Sequence, residues 1–303
     1  MQNITSKKHT LRKALAQAVV RVGDPNTILA IKDRKVPKGD VLEMAKTAGL
    51  FAAKRTSDMI PDCHPLPIEH TQISFEIDGL EIKILAEIST VYKTGVEVEA
   101  MHAASVVALT MYDMLKPIEK DITIEQIKLL HKKGGKSDFN NSRVSGLKAA
   151  VIVCSDTISK GLKQDGAGKA IIQKLKDCQV EVADYVVIPD ELDIIQQKVK
   201  QFCTDKLNLV VLTGGTGLSK RDVTPEAIVP LLDKRVPGIE ETIRTYGQSR
   251  TPYAMLSRSV AGFIGGTLVL GLPGSTRGAE ESMDAIFPEV LHTFMVVRGN
   301  RHD

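Results

Sequence analysis

The second half of the chain alternates short apolar runs with amphipathic segments. Runs such as AAVIVC and LVVL are apolar on both faces, as expected of strands buried in a parallel sheet. The pattern predicts strands at residues 148–154, 180–188 and 208–213, helices at 166–178 and 191–203, and a late hairpin at 259–271. This regular alternation indicates a doubly wound α/β domain with a mostly parallel sheet, whose ligand binds at the carboxyl ends of the strands.

The first half mixes helical and strand patterns less regularly. Apolar spacing predicts three helices, at residues 10–22, 40–57 and 98–116. Asp40 is placed to cap the second helix, and Pro117 stops the third. Residues 71–77 and 81–89 alternate apolar and polar positions around an Asp-Gly pair, which is a strong hairpin signal. Helices and antiparallel strands in this order indicate an α+β domain.

A polar stretch separates the two patterns. In KSDFNNSRVSG, residues 136–146, the apolar periodicity lapses, and the Asn, Ser and Gly residues suit a short linker. We therefore predict an N-terminal domain at residues 1–140, a linker at 141–146 and a C-terminal domain at 147–303.

Composition excludes several classes of protein. Of the 303 residues, 43% are apolar and 25% are charged, a balance typical of globular proteins. No window approaches the ~20 continuous apolar residues of a membrane span, and the basic N-terminus lacks a secretory apolar stretch, so we expect a cytoplasmic protein. The net charge of +3 is too small to suggest nucleic-acid binding. The cysteines form no CxxC pair, which argues against a disulfide framework or a cysteine-rich zinc site.

The stretch TGGTGLSKRDVTPEA, residues 213–227, follows the third predicted strand of the α/β domain. It is not a Walker A loop, because two residues separate its last glycine from Lys220. One interpretation is a tight strand-to-helix turn, with Thr224 as the N-cap and Pro225 as the first helical residue. The other is a phosphate-binding loop, in which the same exposed amides hold an anion. The two interpretations are compatible.

Three aspartates are expected to converge beside this loop. Asp156 follows the first strand of the α/β domain, Asp190 follows the second, and Asp222 lies in the loop itself. The topology brings all three to the carboxyl edge of the sheet, near the glycine amides and either Lys220 or Arg221. Carboxylates beside a bound phosphate are compatible with a Mg²⁺ ion between them, because the cation supplies the missing positive charge.

The motifs TGGTGLSKRDVTPEA, PGIEE, AMLSRSVAG and LPGSTRG, in this order, resemble the MogA/MoaB family and the related G domain of gephyrin. The resemblance covers residues 147–298. It implies a trimeric domain that binds the dithiolene pterin molybdopterin. In catalytic members it also implies transfer of an adenylyl group from Mg-ATP to that pterin.

By motif, Asp222 and Asp190 match the two carboxylates that the family associates with catalysis, and the resemblance implies that both hold Mg²⁺ through Mg-ATP. The resemblance also implies binding residues. Gly214, Gly215 and Thr216 would face a phosphate, and Ser275 would line the pterin pocket. Thr157 stands where many relatives have arginine after Ser-Asp, so no role is assigned to it.

The first half contains a second set of polar residues. Cys63 and His64 are adjacent in an extended segment flanked by prolines, so their side chains point to opposite sides and make a poor chelate or dyad. On residue chemistry alone, this pair is a weak candidate site, since a lone histidine in a loop is more often simply polar surface.

The predicted helix 98–116 is more informative. Glu99, His102, Asp113 and Lys116 lie within about 100° of one another around its axis. The helix dipole accounts for glutamates at the start and lysine at the end, but not for His102 or Asp113. Additional cations near glycines would suit a polyphosphate substrate and proton transfer. They are Lys38, Lys132, Lys133 and Lys136.

The motifs KGDVLEMAKTAGLFAAKRTSDMIPDCHPLP, KTGVEVEAMHAASVVALTMYDMLKP and LLHKKGGKSDF closely resemble the MoaC family, over residues 8–139. That family is implied to convert a cyclised dihydro-GTP, a GTP-derived pterin precursor, to cyclic pyranopterin monophosphate with release of pyrophosphate. It is also implied to form hexamers of ferredoxin-like subunits with sites between protomers. By motif, Asp113, Lys116 and Lys38 carry acid–base roles. The implied substrate contacts are Cys63, His64, Glu97, Val98, Glu99 and Lys132.

Together, the resemblances imply a bifunctional enzyme of molybdenum cofactor synthesis, in which a cyclic pyranopterin monophosphate synthase precedes a molybdopterin adenylyltransferase that uses Mg²⁺ and ATP. We expect a homo-hexamer, since a hexamer accommodates two trimers. The alternative is a C-terminal domain that binds or assembles molybdopterin without turnover, and the presence of Asp190 and Asp222 argues against it. A generic nucleotide-binding α/β protein is a third hypothesis.

Overall fold

The computed structural model describes residues 1–135, 138 and 145–297, and the chain divides into two compact units, Met1–Asn141 and Ser142–Asp303. Of the predicted linker, only Ser145 and Gly146 are among the described residues, and Lys136 is not. Each unit contains one sheet. Within the described ranges, no helix is long and apolar enough to cross a membrane.

The first unit combines a four-stranded antiparallel sheet with helices. Its elements are β1 (Thr10–Arg21), α1 (Pro25–Lys32), α2 (Val41–Lys54), α3 (Thr56–Met59), β2 (His70–Asp78), β3 (Glu81–Tyr92), α4 (Glu97–Leu115) and β4 (Thr123–Lys133). The strand order is β2-β3-β1-β4, and each neighbouring pair is antiparallel. Helix α4 packs against β1, β3 and β4, and α2 packs against α4. The arrangement is α+β, as predicted.

Strand β1 overturns one prediction, because residues 10–22 were expected to form a helix. The segment pairs along its whole length with β3, and from Lys13 onward with β4. Ala14, Ala16 and Ala18 are buried at every second position, which is the period of a strand. The segment is rich in Ala, Leu, Lys, Arg and Gln, which favour helices, but pairing on both edges overrides this preference.

Small side chains let α4 lie close to the sheet. The core of the first unit includes alanines on β1, β3 and α4, namely Ala14, Ala16, Ala18, Ala86, Ala100, Ala103, Ala104 and Ala108. An alanine side chain ends at Cβ, so the helix backbone can approach the strands closely. Gly49 allows a similar approach between α2 and α4, because a Cβ atom there would overlap Val107.

The other predicted elements of the first half are present. The hairpin joins β2 to β3 through Gly79, whose φ is +57°. Asp40 caps α2, since its carboxylate accepts a hydrogen bond from a backbone N–H of the first turn. Helix α4 ends at Leu115, two residues before Pro117. Helix α1 and strand β4 had not been predicted.

The second unit contains a six-stranded sheet. Its elements are β5 (Lys148–Cys154), α5 (Asp156–Ser159), α6 (Ala167–Asp177), β6 (Glu181–Ile188), α7 (Leu192–Thr204), β7 (Leu209–Thr213), α8 (Thr224–Ile228), β8 (Lys234–Arg235), α9 (Pro237–Gln248), β9 (Val260–Ile264), β10 (Thr267–Leu272), α10 (Thr276–Ile286) and α11 (Thr293–Val297). The strand order is β6-β5-β7-β10-β9-β8, and the first four strands are parallel. Strand β9 is antiparallel to both of its neighbours.

Helices cover both faces of this sheet. Ala149 and Val151 of β5 pack in one core with α6, α9 and α10. The alternate residues Ala150 and Ile152 pack in the opposite core with α7 and α8. The prediction of a doubly wound, mostly parallel sheet is therefore confirmed. The carboxyl ends of β5, β6, β7 and β10 meet at one edge, where the parallel order places a ligand.

Helix α8 begins differently from the prediction. Its N-cap is Val223, and Thr224 is the first helical residue. The Thr224 hydroxyl donates to the carbonyl oxygen of Gly214 at 2.8 Å, and its backbone N–H donates to that of Gly215 at 3.0 Å. Because the hydroxyl is bound within the glycine loop, it does not cap the helix.

The close packing around Gly49 provides a test of the core of the first unit. Replacing a mid-helix glycine with alanine ordinarily stabilises by about 1 kcal/mol. At Gly49 the new Cβ would overlap Val107 and lie 2.5 Å from Ile73 Cδ1, inside a filled core. Overpacking of this kind costs about 1–3 kcal/mol, so Gly49→Ala is expected to lower the free energy of unfolding. Denaturant titration of the full chain measures the change.

Gly238 in α9 supplies the matched control, because no atom lies within 4 Å of the Cβ position there. Gly238→Ala should leave stability unchanged or raise it by about 0.5 kcal/mol. Equal stabilisation by both substitutions would contradict the packing argument.

Candidate functional site

A cavity of about 370 Å³ lies at the carboxyl edge of the sheet in the second unit. Its walls come from the ends of β5 and β7, the loop after β6, residues 163–167 and the start of α10. The predicted site residues that line it are Asp190, Gly214, Gly215 and Ser275. Thr216 and Asp222 do not line it. The position is the one expected for a ligand of a parallel sheet.

The first two glycines of the loop are required by the backbone. Gly214 has a φ of +103°, and a Cβ there would overlap the carbonyl oxygen of Cys154. Gly215 has a φ of +61°, and a Cβ there would overlap the Thr224 hydroxyl and lie 2.9 Å from Asp190 Oδ1. Turn geometry alone therefore accounts for both glycines, whether or not the loop binds an anion.

The amides of the loop differ in what they can bind. The Gly214 N–H donates to the Leu272 carbonyl at 3.2 Å, so it is committed to the sheet. Among the residues that the structure describes, the amides of Gly215 and Thr216 have no hydrogen-bond acceptor. An anion would therefore be held by these two amides and not by Gly214.

Asp156 and Asp190 lie together, as the topology predicts. The Asp156 N–H donates to Asp190 Oδ2 at 3.1 Å, and the Asp190 N–H donates to Asp156 Oδ1 at 3.2 Å. Burial raises the pKa of Asp190, and the charges of Asp156 and Asp222 raise it further. Asp222 is therefore electrostatically close to the pair.

Arg221 is the cation that pairs with this cluster. Its Nε and Nη2 atoms donate to Asp156 Oδ2 at 3.0 and 2.7 Å, and Nη2 also donates to Glu191 Oε1 at 3.0 Å. These hydrogen bonds hold the pKa of Asp156 below its usual range. Arg221 thus joins the glycine loop to the loops that follow β5 and β6.

Two carboxylate oxygens are left for a further cation. Asp190 Oδ1 is buried and has no hydrogen-bond partner within the described ranges of the chain. Asp222 Oδ2 accepts the Ser219 N–H at 2.8 Å, whereas its Oδ1 has no partner among the described residues. In that part of the chain, no three His, Cys, Asp or Glu side chains are grouped to hold a metal ion. The residues present fit Mg²⁺, which binds through one or two carboxylates and completes its shell with substrate phosphates and water.

Two cavity residues had not been singled out from the sequence. Lys163 adds a cation to the lining of the cavity. Asp165 is buried, accepts the Gly168 N–H at 2.9 Å and accepts the Tyr185 hydroxyl at 2.8 Å. The spacing of Asp165 and Gly168 is a helix-cap pattern that could have revealed the aspartate, whereas Lys163 has no comparable signal.

In the first unit, Asp113 lies between two lysines. Lys38 Nζ donates to its Oδ2 at 2.7 Å and to its backbone carbonyl at 2.8 Å, and Lys116 Nζ lies 2.7 Å from Oδ1. Hydrogen bonds from Lys116 and then Lys38 lower the pKa of Asp113 to about 2. Asp113 in turn raises the pKa of Lys116. At neutral pH Asp113 is therefore ionised and Lys116 is charged, in a cluster with one excess positive charge.

The remaining predicted residues gather at the other end of α4. Lys132 Nζ lies 3.2 Å from Glu97 Oε1. Glu99 is only 3% exposed, and burial raises its pKa to about 7, with a contribution from Glu97. The pKa of the Cys63 thiol is also raised, first by burial and then by the charge of Glu99. Glu99 and Cys63 therefore share one partly desolvated environment.

His64, Val98 and His102 are also located by the structure. His64 Nε2 lies 2.8 Å from the Gln2 carbonyl oxygen and donates to it. Val98 is exposed. His102, which the helix dipole did not explain, lies 3.2 Å through Nδ1 from the Thr56 hydroxyl. His102 therefore connects α4 to α3 and is not part of the Asp113 group.

The two groups of predicted residues are far apart within one chain. Glu99 and Asp113 are separated by fourteen residues of one helix. At 1.5 Å per residue this is about 21 Å along the axis. The sequence correctly placed both on a similar side of α4, but one chain does not bring them together. A site that uses both groups needs a second copy of the chain.

The protonation of Glu99 has a consequence for stability. Between the ordinary glutamate pKa of 4.5 and the folded value of about 7, the folded chain holds a proton that the unfolded chain has lost. The free energy of unfolding therefore falls as the pH rises through this range, by up to roughly 3 kcal/mol. Glu99→Gln should remove this contribution. Calorimetry at pH 5.0 and 7.5 should show a smaller loss of stability in the variant than in the wild type.

Glu76→Gln is the control, since this glutamate of β2 is exposed to solvent and the pH dependence of the variant should match that of the wild type. Identical pH dependence in Glu99→Gln and the wild type would show that Glu99 is ionised at neutral pH.

Comparison with known proteins assigns each unit to a family. The MoaC family matches residues 1–135, and the family described as "Probable molybdopterin binding domain" matches residues 150–292. A "Cyclic pyranopterin monophosphate synthase" from Geotalea uraniireducens is 50% identical over 139 residues, covering 45% of this chain and 86% of the relative.

Two relatives match the whole chain. A "Molybdenum cofactor biosynthesis bifunctional protein" from Chlorobaculum tepidum is 39% identical over 302 residues, covering 100% of this chain and 96% of the relative. A protein of the same description from Synechococcus elongatus is 35% identical over 315 residues, covering 100% and 98%. The chain therefore belongs to the family of bifunctional molybdenum cofactor biosynthesis proteins, with a MoaC domain followed by a domain of the MogA/MoaB type.

Proposed function

We propose that the first unit converts cyclised dihydro-GTP to cyclic pyranopterin monophosphate with release of pyrophosphate, and that the second transfers an adenylyl group from ATP to molybdopterin. The observation that supports the first activity is Asp113, held between two lysines in a chain half that is 50% identical to a cyclic pyranopterin monophosphate synthase. For the second activity, the support is the cavity that joins glycine amides to Asp190 and Ser275.

The charges around Asp113 suit a phosphate-rich substrate. Lys38 and Lys116 together exceed the charge of Asp113 by one, so the cluster attracts an anion. When a substrate phosphate binds one of the lysines, Asp113 loses part of its neutralisation and becomes a better proton acceptor. Lys116 then donates a proton where the leaving group develops charge.

A complete first site would be shared between subunits. The Asp113 group and the Glu99 group are about 21 Å apart on α4, farther than one pterin substrate spans. The order of elements, βαββαβ with strands β2-β3-β1-β4, supports the ferredoxin-like assignment. We propose a homo-hexamer in which each first site takes its Asp113 group from one subunit and its Glu99 group from another.

Subunit mixing tests the shared site. Lys116→Ala and Lys132→Ala change the same side-chain type at opposite ends of α4, and each variant alone should form almost no cyclic pyranopterin monophosphate. When both are co-expressed, random pairing rebuilds about a quarter of the sites, so about a quarter of wild-type activity should return. Activity is measured from the cyclised precursor by product chromatography.

The outcome distinguishes two arrangements. No recovery in the mixed oligomer, with both variants folded, would place all of the residues of one site in one chain. Lys148→Ala, which removes a surface lysine paired with Glu181 in the other unit, is the control and should keep full activity.

In the second unit, the proposed reaction needs no strong base. A terminal phosphate oxygen of molybdopterin forms a bond to the α-phosphorus of ATP, the bond from that phosphorus to the bridging oxygen breaks, and pyrophosphate leaves. The attacking phosphate is largely ionised near neutral pH, so no proton has to be removed first. The difficulty is the approach of two anions, and charge stabilisation supplies most of the catalysis.

The chain provides this stabilisation from several directions. Gly215, whose amide is placed to bind a phosphate, and Lys163 both line the cavity, and the amide of Thr216 follows in the loop. Asp190 and Asp222 would hold Mg²⁺, which neutralises phosphate charge when bound. Ser275 lines both this cavity and a neighbouring cavity of about 290 Å³ that also contains Tyr253. The second cavity supports a place for the pterin beside the phosphates.

The alternative is a second unit that binds molybdopterin without turnover. Arg221 favours this alternative, because it already neutralises the carboxylate of Asp156, which is then less able to bind a metal ion. The unpartnered oxygens of Asp190 and Asp222 favour turnover. The two functions differ in one measurable product, adenylylated molybdopterin.

Asp222→Asn separates binding from transfer. The substitution keeps the side-chain shape and removes the charge that would hold Mg²⁺, so transfer from Mg-ATP should fall by at least about 100-fold. Molybdopterin affinity should stay within about twofold, because Asp222 does not line the cavity. Product is measured by chromatography, and binding by pterin fluorescence.

Asp205→Asn, at the far end of α7, is the matched control and should match the wild type. Absence of adenylylated product in the wild type, with normal molybdopterin binding, would establish the binding module instead. Full transfer by Asp222→Asn would remove Asp222 from the catalytic residues.

A further inference from the structure

Arg258 connects a distant segment to the glycine loop. It lies just before β9, 36 positions after Asp222 in the chain, and it does not line either cavity. Its side chain is about one-third exposed, so most of the guanidinium is enclosed by the loop that it contacts. Arg258 lies in the AMLSRSVAG motif, but no role was assigned to it from the sequence.

The contacts of Arg258 span the loop from its start to its end. Its backbone N–H donates to the Thr216 carbonyl at 3.0 Å, and Nε donates to the Gly217 carbonyl at 2.8 Å. Its Nη2 donates to the carbonyl oxygen of Asp222 at 2.7 Å, and Nη1 pairs with Glu226 in α8. One side chain therefore ties together both ends of the turn and the helix that follows.

Polar contacts, not packing, hold the turn to its surroundings, and besides Arg258 they include the bonds of Arg221 to Asp156 and Glu191. Leu218 is 70% exposed, and the neighbouring residues up to Arg221 are also exposed, so packing does not hold the turn. Within the turn, Asp222 N–H donates to the Ser219 carbonyl at 3.0 Å, and Ser219 N–H donates back to the Asp222 carboxylate. These two bonds shape the turn locally, but they do not set its position relative to the sheet.

We propose that Arg258 is a positioning residue that sets where Asp222 stands relative to Asp190, and thereby sets the affinity of the second unit for a divalent cation with nucleotide. The inference rests on the proposed function, because it assigns Asp222 to the cation. Arginine is required because Nε and Nη2 form one planar edge that reaches two carbonyls at once. A lysine in the same place could reach only one of them.

The choice of contact supports this role. Arg258 binds the backbone of Asp222 and leaves its carboxylate Oδ1 without a partner among the described residues. A purely structural arginine could equally have paired with the carboxylate. Instead, Arg258 binds the main chain of Asp222, and the charge of Asp222 remains available.

The test compares Arg258→Lys with Arg250→Lys. Arg250 stacks on Tyr246 and bonds the Tyr246 carbonyl, so it is an arginine of the same unit without contact to the loop. Binding of Mn²⁺ with a non-hydrolysable ATP analogue, followed by electron paramagnetic resonance, should weaken about tenfold in Arg258→Lys. It should be unchanged in Arg250→Lys. In turnover, kcat should fall while the KM for molybdopterin stays within about twofold.

Hydrogen exchange tests the positioning independently of the proposed function. Amides from Gly217 to Asp222 should exchange at least about tenfold faster in Arg258→Lys than in the wild type, with no change in β7 or α8. Faster exchange in Arg258→Lys, together with a wild-type protein that binds no cation–nucleotide, would keep the positioning role and reject the proposed function. Unchanged exchange in this loop, or unchanged Mn²⁺ binding in a protein that does bind, would overturn the inference.

A second variant tests the inference if Arg258→Lys does not fold. Glu226→Gln keeps Arg258 in place and removes the charge on its Nη1 side. In this variant, exchange from Gly217 to Asp222 should rise about twofold. If Arg258→Lys does not fold and Glu226→Gln leaves the loop unchanged, the inference is wrong.

Discussion

The reciprocal hydrogen bonds between Asp156 and Asp190 hold together the ends of β5 and β6, and the other site residues of the second unit are arranged around them. Two carboxylates this close repel each other, so their charges have to be offset. Arg221, which lies in the glycine loop, neutralises the charge of Asp156. Asp190 keeps a buried oxygen that has no partner among the described residues. The site is therefore left with negative charge at one defined place, which is the condition for binding a cation together with phosphates.

The site of the first unit that contains Asp113 has an excess of positive charge. Lys38 and Lys116 surround Asp113, so the cluster is positive and its carboxylate is ionised well below neutral pH. At the other end of α4, burial raises the pKa of Glu99 to about 7, so this carboxyl is about half protonated at neutral pH. One helix thus carries a fully ionised carboxylate and a partly protonated one. The difference comes from exposure and neighbours, since both are ordinary acidic side chains.

The sequence predicted the second unit more completely than the first. Its central strands are continuous apolar runs, from Ala149 to Cys154 in β5 and from Leu209 to Leu212 in β7, which is typical of buried parallel strands. In the first unit, the residues of β1 favour a helix by themselves, and only pairing with β3 and β4 makes them a strand. Pairs of residues close in sequence, such as Asp113 with Lys116, could be predicted from their helical spacing. Contacts between residues far apart in sequence, such as Lys38 with Asp113 or Arg258 with Asp222, depend on the fold, and residue spacing does not predict them.

The two units differ in what they need from other copies of the chain. In the second unit, Asp190, Gly214, Gly215 and Ser275 meet at one cavity within a single chain. The residues proposed for the first site are separated by most of the length of α4, and only association can join them. Any contact between second units would then raise the effective concentration of first units toward one another. In this way the fusion can assist the first activity even though the two proposed reactions share no intermediate.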